Sequence, residues 1–296
     1  MDTKLPLNAS EPFSSPNPLT RRKLLKRATT GLFGFSILLA GDAFFLEPNL
    51  LTLDRVSIPI HGLSAAFDGF VIAFIADIHY PCYMHAKFVH HAIAIANRHH
   101  PDLFVFGGDI TDKKGSVTVP NMSGLFDHAE AKEGIICVLG NHDHWLDAPG
   151  VRRELARHTP LRIIENESMI VERGGKALAI GGVGDHWEGI EDPSRAFLHV
   201  PPEVPRILVA HNPDLAEELD IPVRIDLQIS GHMHGGQIYV PGYGGVLHPS
   251  RYGNKFCQGL VQGKSHRVYV TRGLYSSGHA RLNCPPAVSL ITLRTA

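Results

Sequence analysis

Short apolar runs recur along this chain, and each stops at a loop rich in Gly, Asp, Asn or His. Val71–Ala76 runs into Asp77-Ile78-His79, Leu103–Phe106 into Gly107-Gly108-Asp109, and Ile135–Leu139 into Gly140-Asn141-His142-Asp143. Further on, Ile207–Ala210 meets His211-Asn212, and Leu227–Ser230 meets Gly231-His232-Met233-His234-Gly235. Between the runs the spacing predicts helices over His85–Arg98, with Phe88, Ala92, Ile95 and Ala96 near one face, and over Gly150–His158. Strands alternating with helices of this length predict an α/β domain. In open α/β sheets ligands bind beyond the carboxyl ends of the strands, where all five polar loops fall, so one shared site is the economical reading. The second half holds more strand: Ile163–Glu165, Met169–Glu172, Ala177–Ile180, Ile238–Val240, Val268–Thr271 and Val288–Leu293. No repeat at solenoid spacing is present, and nothing demands a second folded domain.

The first 46 residues follow another pattern. Residues 1–19 are polar, and Thr20-Arg21-Arg22-Lys23-Leu24-Leu25-Lys26-Arg27 then precedes the apolar stretch Ala28 to Leu46. A basic block before an apolar run is the layout of an export signal or a membrane anchor. Thr-Arg-Arg-x-Leu-Leu-Lys resembles the twin-arginine signal, which makes the twin-arginine translocase an expected partner. Asp42 interrupts the run early for a spanning helix, and no clear Ala-x-Ala site follows, so cleaved and anchored forms both stay open. The positive charges stay inside, which places the domain of residues 47–296 at the outer face of a bacterial inner membrane or in the periplasm.

Composition narrows the chemistry. Of the 296 residues 44% are hydrophobic and 19% charged, enough to bury a core. A formal net charge of −1 argues against nucleic-acid binding through the phosphate backbone. The 19 His, all after residue 60, stand out. The four Cys show no CxxC spacing, so a metal here would be held by His and carboxylates. An exported domain permits a disulfide, for which Cys257 with Cys284 is the expected pair.

The polar loops together offer Asp77, His79, Asp109, Asn141, His142, His211, His232 and His234. Imidazole with carboxylate suits zinc, manganese or iron rather than calcium. The set is too large for one ion and suits two that share a carboxylate, the arrangement that clamps both oxygens of a phosphoryl displacement.

Asp-x-His, Gly-Gly-Asp-x-x-Asp, Gly-Asn-His-Asp, a strand-end His and Gly-His-x-His, in that order over residues 68–294, resemble the calcineurin-like metallophosphoesterases. Gly231–Gln237 and Asn283–Pro286 resemble the bacterial exported or membrane-anchored phosphodiesterase branch. The resemblance implies a four-layer α/β/β/α sandwich. It implies one metal on Asp77, His79, Asp109 and His234, a second on Asp109, Asn141, His211 and His232, and Asp109 bridging. A metal-bridging hydroxide would attack phosphorus in line, with His142 serving the leaving oxygen and Asp112 orienting His142. Lys113 stands where the family's phosphoprotein-directed members carry Arg, which puts a bidentate phosphate grip in doubt. The expected activity is phosphodiester hydrolysis, on a phosphodiester or lipid-linked phosphate. The alternatives are a UDP-2,3-diacylglucosamine diphosphatase of lipid A synthesis and a degenerate scaffold, though the full residue set stands against the latter. His144, His186 and Trp187 read as pocket lining or as solvated loop, the latter preferred, and His85, His90, His91, His99 and His100 as a polar helix face. Tyr239–Tyr252 with Arg251 reads as either a lid or a structural glycine loop.

Overall fold

Strands that are apolar on both faces need cover on both sides, and this requirement sets the layers. The computed structural model describes residues 20–81, 85–112, 118–218, 222–275, 278 and 280–296. Lys113, singled out in the sequence, lies outside the described residues, as do residues 1–19 of the N-terminal segment. The chain separates into two units, one ending at Gly41 and one running from Asp42 to Ala296.

In the first unit, helix α1 spans Arg21–Gly41. It is longer than the uncharged run because the basic block, made of good helix formers, joins it. Among the described residues one helical stretch, Arg21–Asn49, is long and apolar enough to cross a membrane.

The second unit contains two six-stranded sheets. The first holds β1 (Thr52–Ile60), β2 (Val71–Ile75), β3 (Leu103–Gly107), β4 (Ile135–Val138), β5 (Arg162–Ile163) and β14 (Ala287–Thr295), in the order β1-β14-β2-β3-β4-β5. Strands β2 to β5 run parallel, and β14 lies antiparallel to β2. The second sheet holds β6 (Glu167–Arg173), β7 (Lys176–Gly182), β8 (Arg206–Val209), β9 (Leu227–Ser230), β12 (Gly259–Gln262) and β13 (Arg267–Val270), in the order β12-β13-β9-β8-β7-β6. Its four central strands are parallel and both edges antiparallel. A small hairpin, β10 (Tyr239–Val240) with β11 (Gly244–Gly245), stands apart from both.

Side chains alternate between two cores. In β2, Ile72 and Phe74 point into the space between the sheets, while Ala73 and Ile75 face the outer core under α2 (Ala86–Asn97) and α3 (Asn141–His158). Strand β8 does the same, with Ile207 and Val209 inward and Leu208 outward, against Phe197 and Leu215. The layers are therefore α/β/β/α, the fourth made of short helical turns and loops.

Four details depart from the sequence reading. Helix α2 buries Val89, Ala92, Ile93 and Ala96, a face one residue round from the expected one. Helix α3 begins at Asn141, not at Gly150, and breaks at Asp147 just before Pro149, so part of the third polar loop is the first turn of a helix. Strands β1 and β12 were not anticipated: β1 is half exposed and carries Pro59, which an edge strand tolerates. Cys257 and Cys284 are free thiols, buried against the Gly235-Gly236 loop rather than bonded.

The loop that closes the site end is stapled from inside. Arg281 is fully buried, and its guanidinium donates to the carbonyls of Cys284 at 2.8 Å, Arg272 at 2.8 Å, Gly273 at 3.3 Å and His234 at 3.4 Å, and to that of Tyr275. Replacing it takes a donor from each of these carbonyls. Those of Cys284 and Arg272 depend on it most, because the other three also accept from Gln237, Ala287 and His234. Each carbonyl left unsatisfied where water cannot reach costs about 1–3 kcal/mol. Arg281→Met is expected to lower stability by about 3 kcal/mol or more, read as a lower urea midpoint. Arg195→Met, on an exposed turn, should change it by less than about 0.5 kcal/mol. Equal midpoints for the two variants would refute the staple.

Candidate metal centre

Each candidate residue sits at the carboxyl end of a parallel strand. Strand β2 hands over to Asp77 and His79, β3 to Asp109 and Asp112, and β4 to Asn141 and His142 at the head of α3. In the other sheet β8 hands over to His211, and β9 to His232 and His234. The two sets meet at the rim between the sheets, where His211 Nε2 stands 3.2 Å from Asp109 Oδ2 and the His232 amide donates to Asp77 Oδ1 at 2.8 Å.

The backbone is bent to present them. Asp77, His79, Asp109, His232 and His234 have φ of 56°, 51°, 50°, 69° and 49°, the left-handed region that L-residues rarely enter. Non-glycine residues held there cost on the order of 1 kcal/mol each and cluster at functional sites. Two motif glycines make room. A Cβ on Gly108 (φ +90°) would lie 2.7 Å from His211 Nδ1, and one on Gly140 would lie 2.2 Å from Asp109 Oδ1.

Hydrogen bonds fix the Nδ1 end of four of the imidazoles and leave Nε2 towards the centre. His211 Nδ1 donates to the Gly107 carbonyl at 2.8 Å, and His234 Nδ1 to the Tyr275 carbonyl at 2.8 Å. Since a carbonyl only accepts, Nδ1 carries a proton in each, and Nε2 is the nitrogen left to face the centre. Asp112 bridges two rings, with Oδ2 at 3.2 Å from His79 Nδ1 and Oδ1 at 3.1 Å from His142 Nδ1. Asp77 Oδ2, His79 Nε2, Asn141 Oδ1, His211 Nε2 and His232 Nε2 are then buried with no hydrogen-bond partner. Orphaned polar atoms are rare in protein interiors, because each forfeits its hydration. Here they form groups of ligating atoms within 4.8 Å of one another: Asp77 with His79 and His234, and Asp109 with His211 and His232. A third such group is His79, Asp109 and His142. Oxygen and imidazole nitrogen facing each other without a bond are the donor set of a transition-metal dication, so the residues present fit such ions.

The electrostatics carry the same mark. Burial drives His232 and His234 well below the ordinary imidazole value, and it raises the Asp77 carboxyl. Burial would raise Asp109 too, but His211, then His79 and His142, hold it well below the carboxylate range. At His211 burial is outweighed by the Asp109 charge, which lifts the imidazole to about 10. At His142 burial is outweighed by the Asp112 bond and the Asp109 charge, and its value rises.

Two carboxylates to which the sequence reading gave no role, Asp143 and Asp185, also shape the site, and so does Trp187. Asp143 takes the amides of Gly140 at 3.0 Å, Ile110 at 3.2 Å and Thr111 at 2.7 Å, and so ties the β3 loop to the β4 loop. Asp185 accepts from the Trp187 and Glu188 amides and is lifted to about 6 by burial. Trp187, for which the sequence offered pocket lining as the less favoured of two readings, walls a cavity of about 310 Å³ together with Asp109, Asn141, His142, His232 and His234. Of its neighbours in that reading, His186 is paired with Glu191 and Glu218, and His144 lies 3.8 Å from Glu165.

Comparison with known proteins returns a consistent set. A profile of the calcineurin-like phosphoesterases matches residues 70–236. The metallophosphoesterase YkuE of Bacillus subtilis is 31% identical over 296 residues, covering 94% of this chain and 98% of that one. The phosphodiesterase YaeI of Escherichia coli is 29% identical over 284 residues, covering 93% and 99%. The UDP-2,3-diacylglucosamine pyrophosphatase LpxG of Chlamydia trachomatis is 26% identical over 306 residues, covering 83% and 90%.

With His211 raised to about 10, the cation-free protein keeps a proton there at neutral pH, whereas a metal needs the bare Nε2. Metal uptake at pH 7 should therefore release protons, and apparent affinity should climb as pH rises. Calorimetry in two buffers of different ionisation heat measures this, and proton-neutral uptake would contradict it. Chelation should lower the melting temperature. Manganese restored to about a hundred times its Kd should return about 2.7 kcal/mol.

Proposed function

This chain belongs to the calcineurin-like phosphoesterase family and is a metal-dependent phosphoester hydrolase, and from that premise we propose that it hydrolyses phosphodiesters. Asp77, His79, Asp109 and His234 would hold one divalent ion, and Asp109, Asn141, His211 and His232 a second, with manganese, iron or zinc all compatible with these donors. Such ions, when bound, supply water acidified towards neutrality and positive charge for the phosphoryl oxygens.

The chain's own residues do the rest. Asp109 is an anion between the two donor groups, and the backbone amide of His142 donates to its Oδ1 at 2.9 Å, fixing the carboxylate plane. His142 is the part-exposed member, with 27% of its side chain open to the cavity. Asp112 holds its Nδ1, so Nε2 is the nitrogen that can meet a substrate oxygen. Its raised pKa keeps a proton available for the departing alkoxide. Asp112 also grips His79, so one carboxylate sets the orientation of both rings.

The observation that carries diester over monoester is the cavity wall. Among the described residues that line it (Asp109, Asn141, His142, Trp187, His232, His234, Gln237, Leu247, His248, Pro249) none is Lys or Arg. A monoester dianion would bring a second charge that, among these described residues, no Lys or Arg meets beside the proton on His142, whereas a diester brings one. A second reading, a diphosphatase acting on a lipid-linked UDP-sugar, is favoured by the likeness to LpxG and by exposed Val240, Tyr243, Val246 and Leu247 near the rim. Residues 1–46 serve in this proposal as an export signal or anchor, the basic block of α1 facing the cytoplasm and the enzyme the far side.

Full-length protein loaded with manganese should hydrolyse bis(p-nitrophenyl) phosphate at least about tenfold better in kcat/KM than p-nitrophenyl phosphate. Asn141→Ala should abolish both. His142→Asn should lose about 10²–10⁴ in kcat on diesters with alkyl leaving groups, and far less with p-nitrophenolate, which departs without a proton. A monoester preference would sink the diester assignment. An equal loss for both leaving groups would remove His142 from proton transfer.

A further inference from the structure

Next to the metal centre lies a second cavity, of about 360 Å³, walled by Trp145, His186, Trp187, Glu188, Glu218 and Arg251. Trp187 also walls the cavity of the metal centre, so the two recesses share one indole. The rings of Trp145 and Trp187 stack with centroids 5.8 Å apart at 25°, yet 42% and 43% of these residues remain exposed. An aromatic pair left this open is not held by burial. It is held by bonds: Trp145 Nε1 donates to Glu188 Oε1 at 3.0 Å, and Asp185 takes the amides of Trp187 and Glu188. Each ring also touches the centre, Trp145 packing on the His142 ring at 4.9 Å and Trp187 standing edge-on to His232 at 4.5 Å.

The charges around the indoles select what can lie on them. Glu218 pairs with His186 at 3.0 Å and Arg251 at 3.5 Å, and Glu191 pairs with His186 at 2.7 Å. Three carboxylates against two cations leave the recess slightly negative, which disfavours a second phosphate. A purely aryl group would gain the stacking but make no use of the carboxylate edge. A sugar ring uses both: its C–H face meets the negative π face of an indole, and its hydroxyls donate to carboxylate oxygens.

We propose that this recess is the subsite for a sugar ring carried as one ester substituent of the phosphodiester, with Trp187 as its floor and Glu188 accepting from its hydroxyls. The proposal rests on the diesterase reading and adds the substrate class to it.

The test holds p-nitrophenolate as leaving group and varies only the spectator substituent: methyl, phenyl, or glucose joined through its primary hydroxyl. Manganese-loaded full-length enzyme should favour the glucosyl diester over the methyl one by about tenfold or more in kcat/KM, with phenyl below glucosyl. Trp187→Ala and Glu188→Gln should each draw the glucosyl-to-methyl ratio towards one. The chain's two tryptophans are this pair, so indole emission reads the recess without turnover. Glucose 6-phosphate should change it at about a tenth of the concentration that methyl phosphate needs, and Glu188→Gln should erase the difference. A flat substituent series, a phenyl lead, or equal emission responses would overturn the sugar subsite while leaving the diesterase reading intact. Failure to cleave any diester would instead count against that reading, and the emission titration would still decide the recess.

Discussion

Asp109 keeps a negative charge where water cannot reach it, and the rest of the site is arranged to answer that charge. His79 and His211 approach its Oδ2 at 3.5 Å and 3.2 Å, the His142 amide binds its Oδ1, and Gly140 stays bare so that nothing crowds it. Protein groups alone do not complete the balance, since five polar atoms around it are buried unpaired. A cluster buried in this way favours cations among its atoms, or protons in their place. The strained backbone at five of these residues fits the same logic: the packed strands hold a geometry that favours the bound ion over the empty chain.

Around this centre a second set of carboxylates works at one remove, each on a different loop. Asp112 orients two imidazoles, Asp143 joins two loops through three amides, and Asp185 shapes the turn that presents Trp187. None of the three is spare charge. Each is buried and turns at least one oxygen on named donors, which is how a loop gains the precision of a strand.

The layering was legible because both sheets bury both faces, so apolar runs of four or five residues stand out against polar loops. The cluster of Asp, His and Asn was legible because ligand chemistry admits few residue types and strand ends bring them together. What escaped has equally physical reasons. The buried face of α2 is offset by one residue because Phe88 and Ile95 are large enough to look interior while lying at its margin. The first turn of α3 was hidden because Asn141, His142 and Asp143 are poor helix formers placed there by Gly140 and an amide-capping carboxylate. The tryptophan pair joins α3 to a loop 42 residues further along the chain, a contact that neither segment advertises alone.

The centre draws its residues from both sheets, those on the first sheet from the N-terminal half of the chain and those on the second from the C-terminal half. As the polypeptide is synthesised, Asp77, His79 and Asp109 appear long before His211, His232 and His234. A half-made chain thus carries Asp109 but lacks most of the imidazoles. The proposed centre would therefore hold its ions only once both halves are in place, and cation loading would report that the two have been assembled.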